Sequence, residues 1–171
     1  MSIQFHSPDD IPPLRMLRNP IHLLSLGFGS GLSPWAPGTT GTLAAIPIYW
    51  LMLSLSTPIY IGITVLFLVM GFYICGQTSR ALGVEDHRAI VWDEVVGYLI
   101  TMFLMPPGLL WIIAGFFLFR FFDVLKPWPA SWLDRHIKGG TGIMLDDVVA
   151  GLYAFAVMQG LLYAWTRYTT G

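Results

Sequence analysis

Two short stretches of the chain put adjacent carboxylates at the edge of apolar runs: WDEVVG, Trp92 to Gly97, and LDDVVAG, Leu145 to Gly151. Each combines an apolar residue, two acids, two valines and a nearby glycine, and nothing else in the chain repeats the pattern. A carboxylate near a helix N-terminus is favoured by the helix dipole and can cap free N–H groups. That explains one acid of each pair. The other points ~100° around the helix and must find its own compensation beside an apolar phase. Asp123, in FRFFDVLKP, falls near the end of a predicted helix, where the dipole disfavours an anion, and Arg120 and Lys126 are its candidate ion-pair partners at helical spacing. Brought to one face, Asp93, Glu94, Asp123, Asp146 and Asp147 form a hard oxygen donor set with no sulfur, suited to Mg²⁺ or Mn²⁺ rather than zinc. His87 and His136 flank these segments and read as ordinary hydrogen-bonded or exposed histidines.

Two glycine-rich segments lie near the acids. GFGSGLSPWAPGTTGT, Gly27 to Thr42, offers a loop whose backbone N–H groups and hydroxyls could face an anion at a helix start, and small residues of this kind also line helix contacts in membranes. HIKGGTGIM precedes the second acid pair and contributes Lys138 beside Gly-Gly. Glycine loops, basic residues and an acidic cluster together favour a phosphate held against a divalent metal. Other phosphate chemistries fail on spacing: there is no G-x-x-x-x-G-K-[ST] loop, no D-x-D pair and no C-x5-R loop. Metal-assisted transfer of a phosphoryl group to water remains, the residues leaving open whether water or a carboxylate attacks; water is the choice here.

The elements that must position these groups are helices in a membrane. Of 171 residues, 55% are hydrophobic and only 11% charged, and the mean hydropathy is +0.65. No formal charge falls between Arg18 and Arg80, His22 aside. Hydrophobic runs bounded by Pro, Gly and charge predict five transmembrane or membrane-embedded helices: Thr42 to Ser56, Pro58 to Gln77, Asp93 to Met105, Gly108 to Lys126 and Asp146 to Arg167. The expected fold is thus an all-α, multi-spanning single domain over residues 1–171, with a polar N-terminal segment over 1–20. The first and third helices are short for a full crossing. In this arrangement every Lys and Arg but Arg167 falls on one side, which the positive-inside bias makes cytoplasmic, and every acidic residue falls there too. The proline-rich first twenty residues, from Pro8 to Pro20, do not read as a cleaved signal. A net charge of −1 argues against nucleic acid as a partner, and the single Cys75 excludes an internal disulfide and reads as a buried apolar residue.

GFGSGLSPWAPGTTGTLAAIP, IVWDEVVG, FRFFDVLKPWP and GGTGIMLDDVVAG, in this order, resemble the phosphatidylglycerophosphatase A family of the bacterial cytoplasmic membrane. The resemblance implies a Mg²⁺-dependent lipid phosphatase that releases the terminal phosphate of phosphatidylglycerophosphate. It also implies a site facing the cytoplasm. Asp93, Glu94, Asp123, Asp146 and Asp147 would hold one or two Mg²⁺, while Arg120, Lys126, Lys138 and the Gly38, Thr39, Gly41, Thr42 region would bind phosphate. Two alternatives stay open: a phosphatase for another lipid or isoprenoid phosphate, and a transporter using the acids as a cation site.

Overall fold

The structure, a computed structural model, describes residues 11–170. Pro8, Asp9 and Asp10 of the polar N-terminal segment lie outside the described residues. Among those described there is no strand. A 3-10 turn, Leu14–Arg18, leads into α1 (Pro20–Ser25), a second 3-10 segment, Gly27–Leu32, and then α2 (Pro37–Met52), α3 (Thr57–Leu82), α4 (Trp92–Thr101), α5 (Leu109–Leu125), α6 (Ala130–His136) and α7 (Gly139–Thr170).

Local chemistry sets the ends. Asn19 caps α1 by accepting the Ile21 N–H at 3.0 Å, and proline stands in the first turn of α1, α2 and α3, where its missing donor costs nothing. Gly83 closes α3 in the left-handed region at φ 72°, its N–H returning to the Arg80 and Ser79 carbonyls. Lys126 closes α5 in the same region at φ 44°, directly before Pro127. A left-handed lysine is strained by roughly 1–2 kcal/mol, so a tertiary contact must hold it.

The long helices alternate in direction. Residues from α2, α4, α5 and α7 meet around one cavity at what we call the polar end. At the opposite end, Met52, Thr57, Met105 and Thr166 border a second cavity of about 350 Å³. α7 is central, packing most extensively on α4 and then on α3 and α5. Around this axis Trp92, Val95, Val96, Leu99, Phe119, Met144 and Met158 are buried. α4 and α7 approach until their backbones touch: a Cβ on Gly97 would stand 2.9 Å from the Asp147 carbonyl oxygen, and one on Gly151 would stand 3.1 Å from Gly97 Cα. Thr101 Oγ1 donates to the Gly97 carbonyl at 2.9 Å and lies 3.4 Å from that of Gly151, tying the crossing together.

The outer faces are apolar. Ile61, Val65, Leu66 and Val69 of α3, Ile113, Phe117 and Phe121 of α5, and Leu152 and Leu161 of α7 are exposed. Exposed tryptophans collect at the two ends: Trp35, Trp128 and Trp132 beside the polar cavity, Trp50 and Trp165 at the other. α3 and α7 are long and apolar enough to cross a membrane.

Helix bounds depart from expectation where glycine was read as loop. α2 begins at Pro37 rather than Thr42, and α7 at Gly139 rather than Asp146, so the glycines of GTTGT and GGTG are helical. The reason is close packing. A Cβ on Gly140 would lie 2.6 Å from Gly76 N, so Gly140 lets α7 rest on α3, and one on Gly41 would meet Val91. α3 runs five residues beyond Gln77, and α4 stops at Thr101 rather than Met105. At 16, 10 and 17 residues, α2, α4 and α5 are shorter than a standard span.

Gly151→Val is expected to push α4 from α7 and destabilise the protein by about 1–3 kcal/mol or more. Gly160→Ala, where nothing lies within 4 Å, should leave stability unchanged. Thermal unfolding in detergent compares the two, and equal midpoints would discount the crossing.

Candidate active site

The polar cavity has a volume of about 300 Å³. α2 supplies Pro37 and Gly38, the segment before α4 supplies Asp86, Arg88 and Ile90, α4 supplies Asp93 and Glu94, α5 supplies Arg120, Asp123 and Val124 with its cap Lys126, and α7 supplies Ile143, Asp146 and Asp147. Asp93 and Glu94 ride in the first turn of α4, as the dipole favours. Asp146 and Asp147 do not: they stand two turns inside α7, so capping explains neither.

The structure divides the five acids by their partners. Asp93, Glu94 and Asp147 each offer an oxygen within 4.8 Å of the others. Asp93 Oδ1, Glu94 Oε2 and Asp147 Oδ2 are all buried with no hydrogen-bond partner. Asp123 instead accepts from Arg120 Nη1, which also lies 3.8 Å from Glu94 Oε1. Asp146 Oδ2 accepts from Lys126 Nζ at 2.6 Å. That bond is the tertiary contact that holds the left-handed cap of α5 against α7.

Charge does not balance in the cavity. Its lining includes the carboxyl groups of Asp86, Asp93, Glu94, Asp123, Asp146 and Asp147 against three cations, Arg88, Arg120 and Lys126. Buried anions without compensation cost several kcal/mol each, on the order of what drives them to find a counter-charge. Converging, unpartnered carboxylate oxygens are the donor set that a small hard cation takes.

Gly38 is placed where a side chain cannot go. A Cβ there would stand 2.9 Å from Arg120 Nη1 and would strike Glu94 Oε1. The N-terminal turn of α2 therefore rests directly on the Glu94–Arg120 pair and aims its positive dipole end at the cavity.

The other candidates for phosphate contact lie elsewhere. Thr42 is buried and donates to the Gly38 carbonyl at 2.9 Å, Gly41 packs on Val91, and Thr39 is half-buried on α2 outside the cavity lining. Lys138 lines a neighbouring cavity of about 220 Å³ with Arg135, Glu85 and Asp86. Gly27 and Gly31, outside the cavity lining, close on Val91 and on the Ala89 carbonyl, while Val91 N–H donates to Ser25 O at 2.9 Å. This wrap fixes the segment that delivers Asp93. His87 is fully buried and accepts the Ala89 N–H at Nδ1, and His136 is exposed, bonded to Trp132 O and stacked on that ring. Asp86 and Arg88 are cavity residues that the sequence reading left unassigned; their signal was a charged run, EDHR, ending five residues before Asp93.

A family model described as phosphatidylglycerophosphatase A matches residues 23–162. The chain belongs to the phosphatidylglycerophosphatase A family. It is 47% identical over 150 residues to the phosphatidylglycerophosphatase A of Escherichia coli (strain K12), covering 87% of each chain. It is equally identical over 149 residues to that of Haemophilus influenzae, covering 86% of this chain and 91% of the relative. A Bacteroides thetaiotaomicron relative, provisionally named as a phosphatidylinositol-3-phosphatase, is 38% identical over 158 residues, covering 87% of this chain and 94% of its own. No solved structure matches the chain. The matched span contains every residue that lines the acidic cavity, from Pro37 to Asp147.

Gly38→Ala tests the contact between α2 and the ion pair. It should lower phosphatase kcat/KM by about tenfold, equal to ~1.4 kcal/mol of lost transition-state binding, with the melting temperature kept. Unchanged kinetics would detach Gly38 from the site.

Proposed function

We propose that this protein hydrolyses the terminal phosphomonoester of phosphatidylglycerophosphate at the polar end of a multi-pass helical bundle, yielding phosphatidylglycerol and inorganic phosphate. One observation carries the chemistry: Asp93, Glu94 and Asp147 each bring an oxygen within 4.8 Å of the others and each keep one buried carboxylate oxygen without a hydrogen-bond partner, in a cavity that also presents arginine and lysine. The names of the two 47% identical relatives supply the substrate. The 38% identical relative favours a second reading, a different lipid phosphate headgroup on the same scaffold.

The donor set fits Mg²⁺, one ion or two, with Asp93, Glu94 and Asp147 as the residues that would hold it and with Asp123 and Asp146 beside them. Such an ion supplies Lewis acidity toward phosphoryl oxygens and toward water. The protein's own groups do the rest. Arg120 and Lys126, each already fixed by a carboxylate, are pre-oriented to contact phosphate oxygens, and Arg88 adds a third cation to the lining. The N-terminus of α2 at Gly38 faces charge that builds up on the phosphoryl group. Water attacks phosphorus, the P–O ester bond breaks, and the glycerol oxygen leaves as an alcohol after taking a proton.

The placement in the bilayer follows from the surfaces. The apolar outer faces meet lipid, and the tryptophans at both ends mark the two interfaces. α2, α3, α5 and α7 cross, and α4 with the turn Met102–Pro106 makes its passage enclosed by them. At ~1.5 Å per residue the 17 residues of α5 reach about 25 Å, enough with the flanking turns for a thin crossing. Arg80, Arg88, Arg120, Lys126, Arg135 and Lys138 gather toward the polar end, and the positive-inside bias supports reading it as the cytoplasmic end.

Phosphate release from phosphatidylglycerophosphate in detergent micelles should require Mg²⁺ and stop with a chelator. Asp147→Asn should lower kcat by about 100-fold or more, the scale of a lost electrostatic term at the transition state. Full turnover in that variant at saturating Mg²⁺ would remove Asp147 from the site. No release by folded wild type, with release from another lipid phosphate, would favour the second reading.

Topology can be read with thiol reagents, because Cys75 is fully buried and adds no background. A cysteine at Pro107 should react from the outside of intact cells and one at Arg135 only after permeabilisation. The reverse pattern would invert the orientation.

A further inference from the structure

An apolar groove of about 350 Å³ runs along the outer surface between α2 and α5, lined by aliphatic and aromatic side chains alone. α2 contributes Leu43, Ile46 and Trp50, and α5 contributes Leu109, Ile113 and Phe117. The two helices touch only sparsely, so the groove is a gap between them rather than a dent in one. Its position relative to the acidic cavity gives it meaning. On α5, Ile113, Phe117, Arg120 and Val124 follow one another at helical spacing of four, three and four, so they share one face. The first two line the groove and the last two line the cavity. On α2 the groove begins at Leu43, about 7.5 Å along the axis from Gly38 in the cavity. Along this face of α5 a continuous strip thus passes from apolar wall to guanidinium to carboxylates, with Gly38 of α2 packed against Arg120 where the two meet.

We propose that the α2–α5 groove is the acyl-chain site of the enzyme and that the lipid reaches the cavity sideways from the bilayer, along the face of α5 that carries Phe117 and Arg120. The inference rests on the reading of the cavity as a lipid phosphatase site and adds where the hydrophobic part of the substrate lies. An amphiphile with its phosphate among Arg120, Lys126 and the acids must put its chains into the apolar phase on the same side, and the groove is the apolar surface that adjoins those residues. Over a base of buried Ile112, its rim is large and exposed, Trp50 at 70% and Phe117 at 66%, as a wall shared with lipid would be. A chain lying there need not be lifted out of the bilayer, so headgroup chemistry proceeds with the hydrophobic anchoring intact.

The test compares two substrates that differ only in chain length: phosphatidylglycerophosphate with hexadecanoyl chains, and the same headgroup with butanoyl chains too short to follow the groove. Ile113→Trp and Leu43→Trp fill it, and Val69→Trp places the same bulk on the exposed face of α3, outside the groove. The groove variants should lose about tenfold or more in kcat/KM on the long-chain lipid, ~1.4 kcal/mol of binding, yet stay within about twofold on the short-chain one. Activity on the short-chain substrate also reports that each variant has folded. Long-chain turnover unchanged in both groove variants, or lost equally in Val69→Trp, would overturn the proposal. If wild type cleaves neither substrate, the phosphatase reading itself fails, a different result from failure of the groove. As an independent readout, a long-chain phosphomonoester lipid with a diazirine in its chain should cross-link the Leu43–Trp50 and Leu109–Phe117 peptides ahead of the α3 outer face. Even labelling around the apolar belt would count against the site.

Discussion

The backbone contact between α4 and α7 is the constraint on which the site depends. Two helices can bring carboxylates within 4.8 Å only if their axes approach closely, and here Gly97 and Gly151 remove the side chains that would keep them apart. The same contact leaves the Asp147 carbonyl against Gly97, so the turn that carries the α7 acids lies beside the first turns of α4. Phe119 of α5 fills the remaining space at Gly97 and sets the height at which Arg120 and Asp123 arrive. Packing and electrostatics are therefore coupled: what moves α4 from α7 also disperses the charge cluster.

That cluster is an energetic oddity that function can explain. A protein with so little charge gathers six carboxyl groups around one small cavity and meets them with three cations. Fixed pairs, Arg120 with Asp123 and Lys126 with Asp146, neutralise two acids and hold two cations in place. The three acids that converge have no such partner at one oxygen each. On the proposed reading such a site would take a cation and a phosphate together, each offsetting the charge of the other.

Glycine has different work at different points of the chain, and it is where pattern reading went astray. GTTGT and GGTG look like loops because glycine is the poorest helix former after proline. Both are helical, because in this bundle a missing side chain permits contact with Val91 in one case and with Gly76 in the other. The stabilisation from that close contact outweighs an intrinsic preference of about 1 kcal/mol per glycine. The 3-10 segment Gly27–Leu32 follows the same logic, closing on the chain just before α4 rather than on an anion. α6 and the short α1 escaped notice because their few residues carry no long apolar period to detect.

The helical class, the apolar exterior, the alternation of the long elements and the candidate acids were legible in the residues alone, because each depends on local composition or on spacing along one helix. Asp93, Glu94, Asp123, Asp146 and Asp147, with Arg120, Lys126 and Gly38, do line one cavity. How those groups are paired came from the packed fold: which three acids converge, which two accept hydrogen bonds from cations, and that Asp86 and Arg88 belong while Thr42 and Lys138 line other surroundings. Those distinctions depend on distances across α2, α4, α5 and α7. Periodicity says which way a side chain points on its own helix, but how near two helices come depends on the glycines at their crossing.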